Sequence, residues 1–196
     1  MRVPYILSTT IALGVTLATS SINLSQAVQL RDGKVYFTQP PYLLGAKTTY
    51  NGVNMWGAKY YFTINIPENA GEPLQKITIN QRDAIVHVRF DLEDSFAFEG
   101  TPSDRGQKLK IQDVTRDRET NAVSITFEPP LRPGQTVTIG LQPKQNPSVP
   151  GVYLFGVTAF PSGEQPHGQF LGYGRLQFYG GDIDSYFFPR FYRSWR

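Results

Sequence analysis

The sequence predicts an all-β fold, an antiparallel, immunoglobulin-like β-sandwich of about seven to nine strands with long loops and a short aromatic and basic C-terminal segment. Period-2 alternation of apolar and polar residues recurs through the 196-residue chain, and no long 3.6-residue period interrupts it. Turns built on proline and glycine bound the alternating runs, with 18 glycines and 15 prolines to supply them. Aromatic residues, at 13%, carry enough apolar bulk for a sizeable core. A small barrel or jelly roll is the alternative closure of the same pattern. With no cysteine, the chain has no disulfide, thiolate metal site or cysteine nucleophile, and packing must hold the fold.

Taken in order, residues 1–27 read as a secretory signal peptide. Arg2 precedes an uncharged, mostly apolar run from Val3 to Ala18, and Ser25-Gln26-Ala27 has the small-x-small form of a cleavage site. Ser8, Thr9, Thr10 and Thr16 weaken the run as a membrane span. An exported protein is expected, in the periplasm or outer cell envelope, with its β-sandwich domain over 28–181 and a tail over 182–196. Val35–Thr38 is a weak strand, and residues 39–58 show no period, which predicts a long surface loop with a helical turn. In Tyr60–Ile66 the even positions are apolar while Thr63 and Asn65 face the other way, a half-buried strand ended by Pro67. Lys76–Asn80, Val123–Phe127 and Thr136–Leu141 repeat the pattern, and Val86–Phe90 is read as a further strand. Val152–Phe160 is apolar on both faces, as a central strand covered on each side would be. Leu176–Tyr179 is a weaker strand. Turns are expected at Ala70–Pro73, Arg132–Gly134, Asn146–Gly151 and Pro161–Gly163.

An ordered set of segments then resembles a known family. These are Ala58–Ile64, Pro67 with Ala70–Lys76, Phe127–Pro130 with Pro133-Gly134 and Thr136–Ile139, Asn146-Pro147, Gly151–Pro161 and Leu171-Gly172. They resemble a cyanobacterial family of exported proteins defined only as a domain of unknown function, over about residues 33–179. The resemblance implies an exported β-rich domain of a cyanobacterial envelope. It implies no activity and therefore no catalytic residue.

Templates for chemistry find little support. A hydrolase with a histidine base has two candidates, His87 on the solvent side of an alternating run and His167 in a loop, and no Gly-x-Ser-x-Gly elbow occurs. Ser162-Gly163 reads as turn chemistry. The histidines lack the paired spacing of zinc or copper ligands. Asp91–Asp94 and Asp182–Asp184 bring acids together without matching a calcium loop, and Asp182 and Asp184 suit a helix N-terminus better. No catalytic residue, metal or cofactor is assigned. A paired-carboxylate glycosidase needs a spatial separation that sequence does not give. A nucleic-acid partner is not expected, because Val28–Gly181 holds 15 basic and 14 acidic residues with mixed signs, as in the solvated run Asp113–Glu119.

Two features remain as candidate contacts. Trp56, in Asn54-Met55-Trp56-Gly57, is the aromatic to watch for carbohydrate stacking. In the tail, Tyr186, Phe187, Phe188, Phe191, Tyr192 and Trp195 make six aromatics in fifteen residues, interleaved with Arg190, Arg193 and Arg196. As a helix the tail would align Phe187, Phe191 and Trp195 in one stripe, an interfacial anchor for anionic lipid, although Pro189 requires the helix to begin near it. The other reading docks the tail on the sandwich. The expected function is a non-enzymatic structural or binding module of the envelope, contacting cell-wall polysaccharide, an envelope protein or an anionic membrane surface. The alternatives are a carbohydrate-acting enzyme or carbohydrate-binding domain, and a peripheral membrane protein held by the tail.

Overall fold

The computed structural model describes residues 28–29, 33–82 and 86–180. Residues 1–27, expected to be a signal peptide, and the tail expected from Asp182 to Arg196 lie outside the described residues.

Among the described residues twelve strands run in the order β1 (Val28–Gln29), β2 (Val35–Tyr36), β3 (Tyr42–Thr48), β4 (Tyr60–Asn65), β5 (Leu74–Gln81), β6 (Phe90–Thr101), β7 (Asp104–Leu109), β8 (Ile111–Arg116), β9 (Val123–Leu131), β10 (Thr136–Pro143), β11 (Gly151–Pro161) and β12 (Gln169–Phe178). Ten of them form two five-stranded antiparallel sheets, ordered β3-β4-β10-β6-β7 and β12-β11-β5-β9-β8, while β1 and β2 pair separately. The predicted antiparallel sandwich is therefore present, with more strands than expected, and neither sheet closes into a barrel. Four hairpins (β3–β4, β6–β7, β8–β9 and β11–β12) stay within a sheet. Between them the chain crosses from one sheet to the other, at three points through the predicted turns 70–73, 132–134 and 146–150.

The alternation reads out the core directly. Tyr60, Phe62 and Ile64 of β4 and Ile66 beyond it are fully buried, as are Ile77 and Ile79 of β5, Ile125 and Phe127 of β9, Ile139 of β10 and Phe155 of β11. Rings from the two sheets meet edge to face, Phe155 lying 5.7 Å from Phe62 and 6.0 Å from Tyr60, while Phe178 of β12 tilts against Tyr60 at 5.6 Å. β4 is buried on both faces, not one. Its outward Tyr61 and Thr63 lie beneath a second cluster, in which Phe96 and Phe98 pack on Tyr61 and Arg105 donates to the Tyr61 hydroxyl at 3.0 Å.

Three expectations fail locally. Residues 39–58 contain the seven-residue strand β3, and none of the described residues forms a helix; a bulge between Leu43 and Gly45 breaks the period that would have revealed the strand. Val86–Arg89 alternates in burial but joins no ladder, because Gln81 takes the place of a neighbouring strand. Its Nε2 donates to Val86 O at 2.8 Å and its Oε1 accepts from Val88 N at 2.8 Å. β11 is internal to its sheet, but its outer face is not covered, and Val152 there is 47% exposed. The run Asp113–Glu119 does end in a solvated hairpin: hydrogen bonds from Thr120, then Glu119, hold the Asp117 carboxyl below the usual carboxylate range.

Candidate interaction surface

Loop 49–58 displays Trp56 at one end of the sandwich, beside residues 144–150 and the end of β12. Its neck is closed by Thr49, whose N donates to Lys59 O at 3.1 Å and whose Oγ1 accepts from Lys59 N at 2.9 Å. At the tip Asn54 and Gly57 take positive φ, 57° and 71°, a conformation that asparagine and glycine tolerate best. Buried Asn146 organises the interior of the loop. Its Nδ2 donates to Tyr50 O (3.0 Å) and Gly52 O (2.8 Å), its backbone N donates to Met55 O (2.8 Å), and its Oδ1 accepts from the Tyr60 hydroxyl (2.9 Å). Gln145 and Pro147 bind Asn54 from either side. Burial foremost, with the neighbouring Tyr153 second, pushes the Tyr60 hydroxyl well above its ordinary range, so it remains a proton donor to Asn146.

The result is an ordered loop with an apolar tip. Trp56 is 71% exposed, and Tyr50, Met55, Val149, Val152 and Tyr179 are exposed large apolar residues of the same end. β12 runs out into this surface: Tyr179 N donates to Asn51 O at 2.8 Å and Tyr179 O accepts from Val53 N at 3.0 Å. The described chain thus ends at Gly180, beside the Trp56 loop. On the flank, His87, Arg89 and Lys144 border a cleft of about 320 Å³, with Lys144 at 3.8 Å from Asp91.

Of the residues singled out from sequence, Trp56 is displayed here. Tyr186, Phe187, Phe188, Arg190, Phe191, Tyr192, Arg193, Trp195 and Arg196 lie outside the described residues. His87 is exposed, as its register predicts, and His167 stacks on Tyr36 with ring centroids 4.6 Å apart in the loop at the opposite end. Among the described residues no three His, Cys, Asp or Glu side chains converge on a metal-sized site, and no helix is long and apolar enough to cross a membrane. The sequence reading missed Asn146. The signal was available in Asn146-Pro147, but that dipeptide reads as a turn, and a turn asparagine is expected in solvent.

A family model described as "Protein of unknown function (DUF2808)" matches residues 34–178. No curated protein matches the chain. Among solved structures the chain is similar to the collagen-binding domain of a Staphylococcus aureus adhesin (12% identity, TM-score 0.39, covering 72% of this chain and 99% of that one). It is also similar to a C-terminal fragment of the major pilin of Streptococcus agalactiae (11%, TM-score 0.46, 71% and 56%). A third is an uncharacterised Nocardia farcinica protein described as having an immunoglobulin-like fold (13%, TM-score 0.41, 70% and 97%).

Proposed function

The chain belongs to the DUF2808 family of proteins of unknown function, and from that starting point we propose that it is a non-enzymatic, exported binding module of the periplasm or outer cell envelope that makes contact through its Trp56 end and C-terminal tail. The observation that carries the reading is the display of Trp56, 71% exposed on a loop pinned from within by buried Asn146. An aromatic displayed on a loop whose backbone is already ordered spares a partner the entropy of ordering that loop when it covers the ring. The described chain ends on this same surface at Gly180, directly before the aromatic and arginine-rich residues 182–196 in sequence, and Arg89 adds positive charge on the flank. Aromatics with flanking cations suit an anionic envelope surface, whether membrane or wall. The signal-like residues 1–27 support export to that compartment.

The test compares the full chain with one ending at Gly181 and with Trp56→Ala, each expressed with residues 1–27. Retention of fold is followed by circular dichroism, and binding by co-sedimentation with anionic vesicles and isolated cell-wall material. The expected result is that the shortened chain stays folded and loses binding, and that Trp56→Ala weakens binding about tenfold. Unfolding of the shortened chain would assign the tail to the core instead. Turnover of an envelope polysaccharide that one acid-to-amide change abolishes would overturn the non-enzymatic reading.

A further inference from the structure

The second sheet carries a distinct surface on its outer face, away from the Trp56 end. Antiparallel register aligns outward residues of β5, β11 and β12 in rows: Asn80, Gly156 and Tyr173 in one, Thr78, Thr158 and Phe170 in the next. Gly156 is the centre of this arrangement. A Cβ there would lie 3.2 Å from the Phe170 ring and 3.4 Å from the Tyr173 ring, so both rings reach to contact distance over the backbone, and the bare glycine lets Phe170 sit a few tenths of an ångström closer than a side chain would. They meet edge to face at 5.1 Å, yet remain 50% and 46% exposed. Arg82 stands over Tyr173, its guanidinium 5.4 Å from the ring centroid and its Nη1 donating to the hydroxyl at 3.4 Å. Asn80, Gln81 and Thr158 complete a cleft of about 340 Å³. One row further, Lys76 lies over the Phe160 ring at 4.2 Å.

We propose that this face binds an acidic polysaccharide, a chain of sugar rings bearing carboxylates. Paired exposed rings offer apolar faces to the C–H side of a pyranose, while amide and hydroxyl groups at their border match its hydroxyls, the mixture by which small polar ligands are held in orientation. The charge selects the acidic class. β5, β11 and β12 contain Lys76 and Arg175 and no Asp or Glu, Arg82 directly follows β5, and the acids of the sheet, Glu128 and Asp113, stand beyond β5 on β9 and β8, away from the Phe170 and Tyr173 rings. Asp83 lies outside the described residues. A guanidinium at the edge of the rings is a fork that fits a carboxylate in two-point contact. From the Tyr173 row to the Phe160 row is four residues of strand, about 13 Å, which exceeds a single sugar ring and suits a polymer. The inference does not depend on the Trp56 end.

Titration calorimetry of the full chain with an oligogalacturonate, and with a neutral glucan of equal length, tests it. The expected result is oligogalacturonate binding, at least about tenfold weaker with the neutral glucan, and weakened about tenfold by Tyr173→Ala and by Arg82→Gln. Tyr173→Phe, which keeps the ring, retains most of the affinity. Trp56→Ala and removal of the tail after Gly181 leave it unchanged, so failure here and failure of the end-surface reading are separable. Absence of oligogalacturonate binding at about 1 mM overturns the proposal. So does binding that Arg82→Gln, an exposed and foldable change, does not alter, since the rings then serve only to cover Gly156. Capture by anionic vesicles without oligogalacturonate binding would overturn it in favour of lipid.

Discussion

Asn146 shows how much one buried amide can organise. Its side chain spends its donors on two loop carbonyls and its oxygen on the Tyr60 hydroxyl, so no partner can be removed without leaving a polar group in a dry place. Asn146→Ala is expected to cost about 2–4 kcal/mol in urea unfolding, well beyond a surface asparagine, and to raise hydrogen exchange in the 50–57 backbone. Glu72 is the opposite case. It is a buried carboxyl whose Oε1 has no hydrogen-bond partner, and desolvation pushes its pKa up. A carboxyl raised in the folded state binds its proton more tightly there than in the unfolded chain. Its contribution is complete below the unfolded value and is lost as pH rises through the folded one. Glu72→Gln is therefore expected to stabilise the protein at pH 7 and to match the parent near pH 4, read from urea midpoints at the two pH values. A gap that persists at pH 4 would show that packing, and not ionisation, sets the difference.

At the scale of elements, alternation located β4, β5, β9 and β10 because each turns one set of alternate residues to the central core, a period visible without knowing its neighbours, while β11 stood out as a continuous apolar run. β3, β6, β7 and β8 escaped notice for different reasons. β6, Phe90–Thr101, opens on the acidic run Asp91-Leu92-Glu93-Asp94 and shifts register against both of its neighbours, so no clean period shows. β3 is bulged, and β7, Asp104–Leu109, is mostly exposed with no apolar face of its own, held instead by pairing to β6. β8 buries only parts of Ile111 and Val114 at a sheet edge. The Val86–Arg89 segment errs in the other direction, since it alternates without being a strand. Side-chain atoms of Gln81 satisfy Val86 O and Val88 N, while Arg89 O is met by backbone, Lys144 N, so Gln81→Ala is expected to free the segment up to Val88. The measurement is hydrogen exchange at Val88, which should speed at least about tenfold, with a stability loss of about 1–2 kcal/mol. Unchanged exchange would mean that burial of Val88 and Phe90 alone positions the segment.

At the scale of the whole molecule, two five-stranded sheets face one another across an aromatic centre of Tyr60, Phe62, Phe90, Phe155 and Phe178. The chain crosses between the sheets five times, so most of its core contacts join residues distant in sequence. The ends and the outer faces are thereby left to loops and unaccompanied strands. Two surfaces of different character follow, an aromatic end around Trp56 and a sheet face that displays Phe170, Tyr173 and Arg82. Trp56 was legible as a candidate because tryptophan between Met55 and Gly57 has no apolar period to join. Phe170, Tyr173 and Arg82 were not legible together, because 88 residues and a sheet register separate Arg82 from Phe170.

By itself the sequence determined the fold class, the one-core organisation, most strands and the inward residues of each, because a two-residue period and Pro-Gly turns are local properties of the chain. Only the tertiary structure decided which strands share a sheet, that Asn146 is a buried scaffold and not a turn residue, and that Gly156 lies between two rings. Register and sheet partner are set by contacts between distant segments, and a residue's face says nothing of what stands opposite it.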